Sequence, residues 1–460
     1  MGSFYVENFG CRATQADGAA IEQQFLERGL ERAGASSQAE IVVLNTCTVT
    51  ASADQDARAA IRRIHRENPN CRIVVTGCYA QRAPDELAAL PGVAQVIGNS
   101  HKHRLAEIAR NGFVRLETLA TDDPERGNDD AIFVSDIFAH TELLAAPVFD
   151  AANERTRPNL KVQDGCDNRC SFCVIPYVRG NSRSLPLPRI LQEVNALVDA
   201  GYREVVISGI NLGRWGRDLG PEGENFPGLI RSILAESSLE KLRISSVEPM
   251  DWSAELIGLV AESPRIAKHA HVPMQSASDQ VLRRMHRKYR PWHYRDKIQK
   301  IRAAMPEAAI GADVMVGFPG ESDTDFEETR RMIEELPFTY LHVFTYSPRP
   351  GTPAASMSGQ VPVRVARERN RILRELGARK KLAFMRSFIG KPLEAITLNS
   401  SRFVIPSGAE GSAVPANSGF TEALTDNYLK LRLKGNHEPN HWFVADIEDV
   451  RDGMLIGRRD

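Results

Sequence analysis

The chain has 460 residues, 42% hydrophobic and 25% charged, with a formal net charge of -1 at pH 7. That length supports two or three domains with ordinary cores, and the near-neutral balance excludes a uniformly basic surface, so any contact with a polyanion must come from local patches. No apolar run approaches the roughly 18 residues of a membrane span, and the start MGSFYVENFG lacks a basic segment followed by an apolar one, so neither a span nor a secretory signal is expected and the chain reads as cytoplasmic.

From residue 1 to 117, short β-branched runs alternate with helical periods: FYVENFG then AAIEQQFLERG, IVVLNTC then DQDARAAIRRIHRE, RIVVTGC then DELAAL, VAQVIGN then HRLAEIA. This alternation predicts an N-terminal parallel α/β domain. Residues 118–157, acidic and punctuated from TDDPERGNDD onward, suit a linker. A second series fills 158–386, with strands at LKVQ, VVISG, LRISS, HAHVP, IGADVMVGF and HVFTYS. Six βα units fall short of a closed eightfold barrel and predict a partial (β/α)6 barrel. Over 387–460 helical periodicity fades, and EAITLN, RFVIP, YLKLRLKG and WFVADIEDV predict a small C-terminal β-barrel.

Seven cysteines, an odd number in a long cytoplasmic chain, argue against a disulfide framework and toward metal binding or catalysis. Cys166, Cys170 and Cys173 sit in QDGCDNRCSFC, just past the first strand of the partial barrel, on the rim where barrel active sites are built. A CxxxCxxC loop lets three thiolates surround one iron-sulfur cube and leaves one iron open for a substrate or cofactor. A zinc site or an incidental cysteine cluster is the plainer alternative. Cys11, Cys47 and Cys78 each follow a predicted strand of the first domain, and in a parallel sheet such positions share one edge. Their convergence suggests a second cluster, set against the fact that free cysteine often serves as a small buried hydrophobe. Cys71 precedes its strand and falls outside that pattern.

Other candidates carry weaker signals. ISGINLGRWG, which includes Gly209, and GFPGES follow barrel strands, where glycine lets backbone approach a ligand; neither is a phosphate loop, and plain βα turns explain them as well. Ser246, Glu248 and Gln275 fall at predicted strand ends on the active rim, as ligand contacts or as turn and cap residues. Arg283 to Arg302 holds nine Lys or Arg against Asp296 alone, with Tyr289, Trp292 and Tyr294 interleaved. Arg364 to Arg386 holds nine more, against Glu368 and Glu375. Such stretches either neutralise phosphates and stack bases or form solvated helix faces. The tail from Arg386 carries nine basic and ten acidic residues, a poor electrostatic match to RNA.

The CxxxCxxC loop with Phe172 before its last cysteine resembles the radical S-adenosylmethionine (SAM) enzymes, whose partial barrels hold a 4Fe-4S cluster at that rim. GCRATQAD, NTCTVTASAD and GCYAQ, followed by SSVEP, HVPMQSASDQVLRRM and DVMVGFPGESDTDFEET, resemble the radical SAM methylthiotransferases over nearly the whole chain. The tail resembles a divergent TRAM domain, an RNA-binding barrel. The resemblance implies two 4Fe-4S clusters, one on Cys166, Cys170 and Cys173 and an auxiliary one on Cys11, Cys47 and Cys78. It also implies SAM near Phe172, Gly209, Ser246, Glu248 and Gln275, an electron donor such as a flavodoxin or ferredoxin, and a sulfur donor. SAM cleavage would give a 5'-deoxyadenosyl radical that removes the hydrogen a methylthio group replaces.

Thr48 and Asp54 in NTCTVTASAD, with VQDGCDNRCSFC, are most similar to the subgroup acting on tRNA N6-threonylcarbamoyladenosine, 3' of the anticodon. The implied alternatives are isopentenyladenosine tRNA, a ribosomal-protein aspartate, or a noncatalytic metal-binding RNA module. A threonylcarbamoyl carboxylate needs a cationic partner, for which Arg179 and Arg183 are the candidates. Arg287, Lys288 and Arg290 are the candidates for RNA phosphates.

Overall fold

The computed structural model describes residues 2–116, 131–139, 156–220, 223–399 and 419–459. Its first sheet has strands β1 (Ser3–Asn8), β2 (Glu31–Arg32), β3 (Ile41–Thr46), β4 (Arg72–Gly77), β5 (Val93–Gly98) and β6 (Ile132–Phe133), in the order β2-β1-β3-β4-β5-β6. All neighbours are parallel. Every residue of IVVLNT in β3 is buried, as a central strand covered on both faces requires. Its side chains alternate between two cores, Val42 and Leu44 packing with Ile61 and Ile64 of helix Ala51–Glu67, Ile41 and Val43 with Ile21 and Phe25 of helix Arg12–Leu26. The stretch expected to be a linker contributes β6 to this sheet, because Ile132 and Phe133 extend the apolar edge beside β5. Most of the rest of 118–157 lies outside the described residues.

The second series gives β7 (Asn159–Asp164), a two-residue β8 (Arg183–Ser184), β9 (Glu204–Gly209), β10 (Lys241–Ile244), β11 (His269–His271), β12 (Ala309–Val316) and β13 (Tyr340–Thr345). β7, β9 and β10 pair in parallel, as do β11, β12 and β13. The two groups join where Leu242 N donates to Arg265 O (2.7 Å) and Val247 N to His271 O (3.1 Å). Six parallel strands therefore form a barrel left open between β7 and β13. The long helix Val363–Arg386 packs against β13 from outside.

The tail closes a five-stranded barrel from β14 (Pro392–Thr397), β15 (Phe420–Thr425), β16 (Lys430–Lys434), β17 (Trp442–Arg451) and β18 (Met454–Arg459). The expected strand RFVIP lies outside the described residues, while β15 and β18 are additions to the sequence expectation. The β15–β16 turn docks against the N-terminal ends of the barrel strands: Arg243 donates to Asp426 O (3.0 Å), and the Tyr428 ring lies 4.5 Å from that of His269. Among the described residues no helix is long and apolar enough to cross a membrane.

Candidate active site

Register builds the first cysteine set. Asn8 pairs with Asn45 and Thr46 with Gly77, so Cys47 and Cys78 are the next residues of adjacent strands and Cys11 starts the helix after the third. At Gly10, with φ 103°, any Cβ would stand 2.5 Å from that of Cys47, so only glycine lets the Cys11 loop pass so close to Cys47. Burial, then the neighbouring Cys78 and Cys11, push the Cys47 thiol up to about 12. Cys71 lies at the opposite edge of the sheet, packed in one of its cores.

The second set lies on one loop, held by its own backbone and by the barrel. Cys166 N bonds Gly180 O (3.1 Å), Cys173 N bonds Cys170 O (3.0 Å), and Ser171 N bonds Met285 O (3.1 Å). Burial pushes the Cys166 thiol up to about 11 and the Cys173 thiol to about 12. Thiolates in such surroundings need cationic compensation. N–H donors also point at the sulfurs: Asn211 at Cys166 (3.7 Å), Arg287 at Cys170 (3.4 Å) and Asn99 at Cys78 (3.6 Å). Three thiols with amide or guanidinium donors fit an iron-sulfur cluster at each set.

One contact links the first set to the segment that follows the second. Cys78 packs on Val174 and Val178, the residues just beyond Cys173, and Asn99 binds both Cys78 Sγ and Val178 O (2.7 Å). Beside them lies a fully buried ion network. Asp17, on the helix after Cys11, meets Lys102 (3.0 Å), Lys161 and Arg179 (2.9 Å), and Asp164 meets Lys161 (2.9 Å) and Arg179 (2.8 Å). Within this network Arg179 lies in the field of the Cys78 and Cys11 thiols. A second link joins the subgroup markers: Thr48 donates to Asp54 (2.6 Å), which also binds Arg82 (3.1 Å) and, from the barrel, Arg349 (2.7 Å).

Several sequence candidates take other positions. Arg179 is 2% exposed and held by Asp17 and Asp164, so it is not free to meet a substrate carboxylate. Arg183 donates to Arg179 O (2.8 Å) and braces the same loop. Arg287 is buried between Glu248 and Cys170 Sγ, which removes it from the set of phosphate contacts, and Arg290 lies 3.4 Å from Asp279. Lys288 alone of that trio is exposed. Phe172 packs edge-on to Phe318 at 6.4 Å, anchoring the cysteine loop. Gly209 ends β9; Glu248 faces Arg287 above the cysteines; Gln275, at φ 61°, bonds across to Asp313 O (2.8 Å).

Ser246 leads to a group that sequence reasoning missed. Its hydroxyl bonds His271 Nδ1, and His271 Nε2 lies 3.2 Å from Asp313 Oδ1. His342 Nδ1 approaches the same oxygen at 3.3 Å. Burial alone would raise the Asp313 carboxyl, but the two imidazoles of His271 and His342 outweigh it and hold it well below the usual range. One residue from each of β11, β12 and β13 makes this group, and only the period-two pattern of each strand, combined with the strand order, could have revealed it.

Residues 3–98 match the Uncharacterized protein family UPF0004 and residues 160–333 the Radical SAM superfamily. The threonylcarbamoyladenosine tRNA methylthiotransferase MtaB of Aquifex aeolicus is 36% identical, over 94% of this chain and 97% of its own. That of Rickettsia prowazekii is 37% identical, over 98% and 96%. A tRNA-2-methylthio-N(6)-dimethylallyladenosine synthase of Novosphingobium aromaticivorans is 33% identical over 86% of each chain. In fold, the radical SAM methyltransferase TsrM of Kitasatospora setae, solved with cobalamin and a 4Fe-4S cluster, superposes with a TM-score of 0.56 over 77% of each chain at 15% identity. The paired domains and the near full-length relatives place the chain in the radical SAM methylthiotransferase family.

Proposed function

We propose that this enzyme converts N6-threonylcarbamoyladenosine, 3' of the anticodon of tRNA, to its 2-methylthio derivative. The observation that carries the reading is the packing of Cys78, of the first cysteine triplet, on Val174 and Val178, in the segment that follows the second. Radical formation and sulfur insertion must act on one carbon, and such proximity is what that requires. The subgroup follows identity: the threonylcarbamoyl enzymes of Aquifex aeolicus and Rickettsia prowazekii are 36% and 37% identical, whereas dimethylallyladenosine synthases that match up to 99% of both chains are 32% and 33% identical.

Cys166, Cys170 and Cys173 would hold the cluster that binds SAM, and Cys11, Cys47 and Cys78 the auxiliary one. When bound, these groups supply electron transfer, hydrogen abstraction and the sulfur to be transferred. The chain positions them: Arg287 places positive charge at Cys170 while fixing Glu248, and the Asp17 network sets Arg179 beside the auxiliary thiols. A reductant such as a flavodoxin or ferredoxin and a sulfur donor would complete each cycle.

The RNA-facing surface is better sought on helix Val363–Arg386 than on the buried Arg287. Arg367, Arg374 and Lys381 recur every seven residues and so share one face. Among the described residues none of the three has a carboxylate in ion-pair range, whereas Arg371 is held by Glu368 (2.6 Å) and Glu375 (2.6 Å). Arg374 and Lys381, with Lys430 of the tail, line a cavity of about 640 Å³ between β13, this helix and the tail barrel. Unpaired cations around a cavity suit a phosphate backbone.

Mass spectrometry of tRNA nucleosides from cells with and without the gene tests the assignment. The 2-methylthio derivative of threonylcarbamoyladenosine should vanish on deletion, with its precursor accumulating. Loss of methylthiolated isopentenyladenosine instead would move the chain to the other tRNA subgroup.

A further inference from the structure

From the geometry of the barrel interior we infer that His342 and Asp313, braced by His271, read the threonylcarbamoyl group of the substrate; this rests on the function proposed above. Three features of the molecule support it. First, the group lies on the inner face of the strands and can be reached. The His342 side chain is 53% exposed and that of Asp313 23%, and Phe344, next on the same face, is 46% exposed. Alternate residues of β13 point the other way, Leu341 packing against Gly377 of the long helix.

Second, the group is fixed in place. At Gly311 a Cβ would stand 1.9 Å from the Tyr340 ring, so only glycine lets that ring lie across β12. Tyr340 stacks on His271 at 5.9 Å and bonds His269 through its hydroxyl (2.7 Å), which makes a rigid floor beneath Asp313. Ser246 orients His271 from the rim, and the segment that carries it also carries Glu248, which Arg287 ties to Cys170. Through Ser246 the group is thus linked to the segment that meets the barrel cysteines.

Third, it has unused bonding capacity. Both imidazoles approach Asp313 Oδ1, and among the described residues nothing bonds Asp313 Oδ2. His271 Nε2 is buried and, though 3.2 Å from the carboxylate, is not aligned for a hydrogen bond. A threonylcarbamoyl group offers what these atoms lack: ureido N–H and hydroxyl donors for Asp313, and a carboxylate to accept from the His342 ring. An isopentenyl group offers none, and would desolvate Asp313 without compensation. With Arg179 committed to Asp17 and Asp164, His342 takes over the part expected of that arginine.

The test compares binding of anticodon stem-loops that carry threonylcarbamoyladenosine or plain adenosine to the cluster-loaded enzyme. The wild type should prefer the modified loop. His342→Phe, which keeps a ring beside Phe344, and Asp313→Asn should each cut that preference by about 10- to 100-fold, the worth of a hydrogen bond to a charged group. Iron content and melting temperature control for folding, and His342, being exposed, is the safer variant. An unchanged preference in both variants overturns the inference, as does a wild type that binds the two loops equally. If the wild type methylthiolates isopentenyladenosine and not threonylcarbamoyladenosine, the proposed function fails and this inference with it. The three ligand atoms lie within 4.8 Å of one another, close enough to share a divalent ion. Loss of the wild-type preference in EDTA, with clusters intact, would replace direct contact by a bound ion and overturn the inference as stated.

Discussion

The two cysteine triplets make the same kind of site by different means. Cys166, Cys170 and Cys173 belong to one loop, set by its own backbone hydrogen bonds and by bonds that join Ser171 to the barrel at Met285 and Ala354. Cys11, Cys47 and Cys78 each follow a different strand, and only the pairing of those strands brings them to one edge. The loop is a local object, whereas the dispersed set is a property of a whole sheet and of whatever docks that sheet on the barrel. Damage to remote packing should therefore reach the dispersed set first.

The sharpest way to break this comparison is to remove the thiols themselves. Replacing Cys166, Cys170 or Cys173 with Ala should abolish formation of 5'-deoxyadenosine, followed by chromatography. Replacing Cys11, Cys47 or Cys78 should leave some SAM cleavage and no methylthiolated product. Cys71→Ser should keep both activities, since Cys71 stands at the other edge of the sheet. Loss of both in Cys71→Ser, at unchanged iron content, would mean the auxiliary ligands are misassigned.

Next in size is the ion network that couples the two regions. Asp17→Ala leaves Lys102, Lys161 and Arg179 buried with Asp164 alone, and breaking such a pair costs about 3–5 kcal/mol. The first urea transition should move accordingly, with auxiliary iron lost before barrel iron. Burial would raise the Asp17 carboxyl, but Lys102, Lys161 and Arg179 outweigh it and hold the carboxyl below its ordinary value. A depressed carboxylate contributes its stability above its unfolded value of about 3.9 and loses it as pH falls further. The gap between wild type and Asp17→Ala should thus be flat from neutral pH to about 5 and narrow in strong acid. A gap that widened in acid would contradict this electrostatic account.

What the sequence disclosed follows the same division. The loop motif was legible because its spacing is local, and the dispersed set because β-branched runs mark where parallel strands end. Occupancy was not legible. Arg179 reads as a free cation until the fold brings it to Asp17, 162 residues away, and Arg349 meets Asp54 across 295. The inner group of His271, Asp313 and His342 was hidden for a related reason: it takes one side chain from each of three strands, and no single strand shows a motif. The strand Ile132–Phe133 was masked by acidic neighbours that make the stretch read as a linker.

RNA binding should respond more modestly, and in a way that separates paired from unpaired cations. Replacing Arg367, Arg374 and Lys381 together with Gln should flatten the dependence of log affinity on log salt by up to about 0.9 per lost phosphate contact. Replacing Arg371, already held by Glu368 and Glu375, should change the slope far less. Equal effects from both would point to general surface charge and away from a defined phosphate track.

The smallest effect sharpens the comparison most, because it applies one perturbation to both regions. Thr50 caps the helix that starts just after Cys47, its hydroxyl accepting from Ala53 N (3.2 Å). Ser322 caps helix Asp323–Glu335 in the barrel, accepting from Asp325 N (3.2 Å) within a capping box. Removing either hydroxyl with Ala should cost about 1 kcal/mol, since each leaves a helix-start N–H without its partner. The costs match in kind, but the consequences differ. Fraying at Thr50 loosens the turn that fixes Cys47 and Thr48, and Thr48 with Asp54 ties the sheet to Arg349 of the barrel. Fraying at Ser322 loosens a helix that carries no cysteine. Thr50→Ala should therefore lower the iron bound at the auxiliary set on mild heating while Ser322→Ala does not, at similar shifts in urea midpoint. Equal iron loss in the two variants would mean that the dispersed set is as locally held as the loop, and the distinction between them would fall.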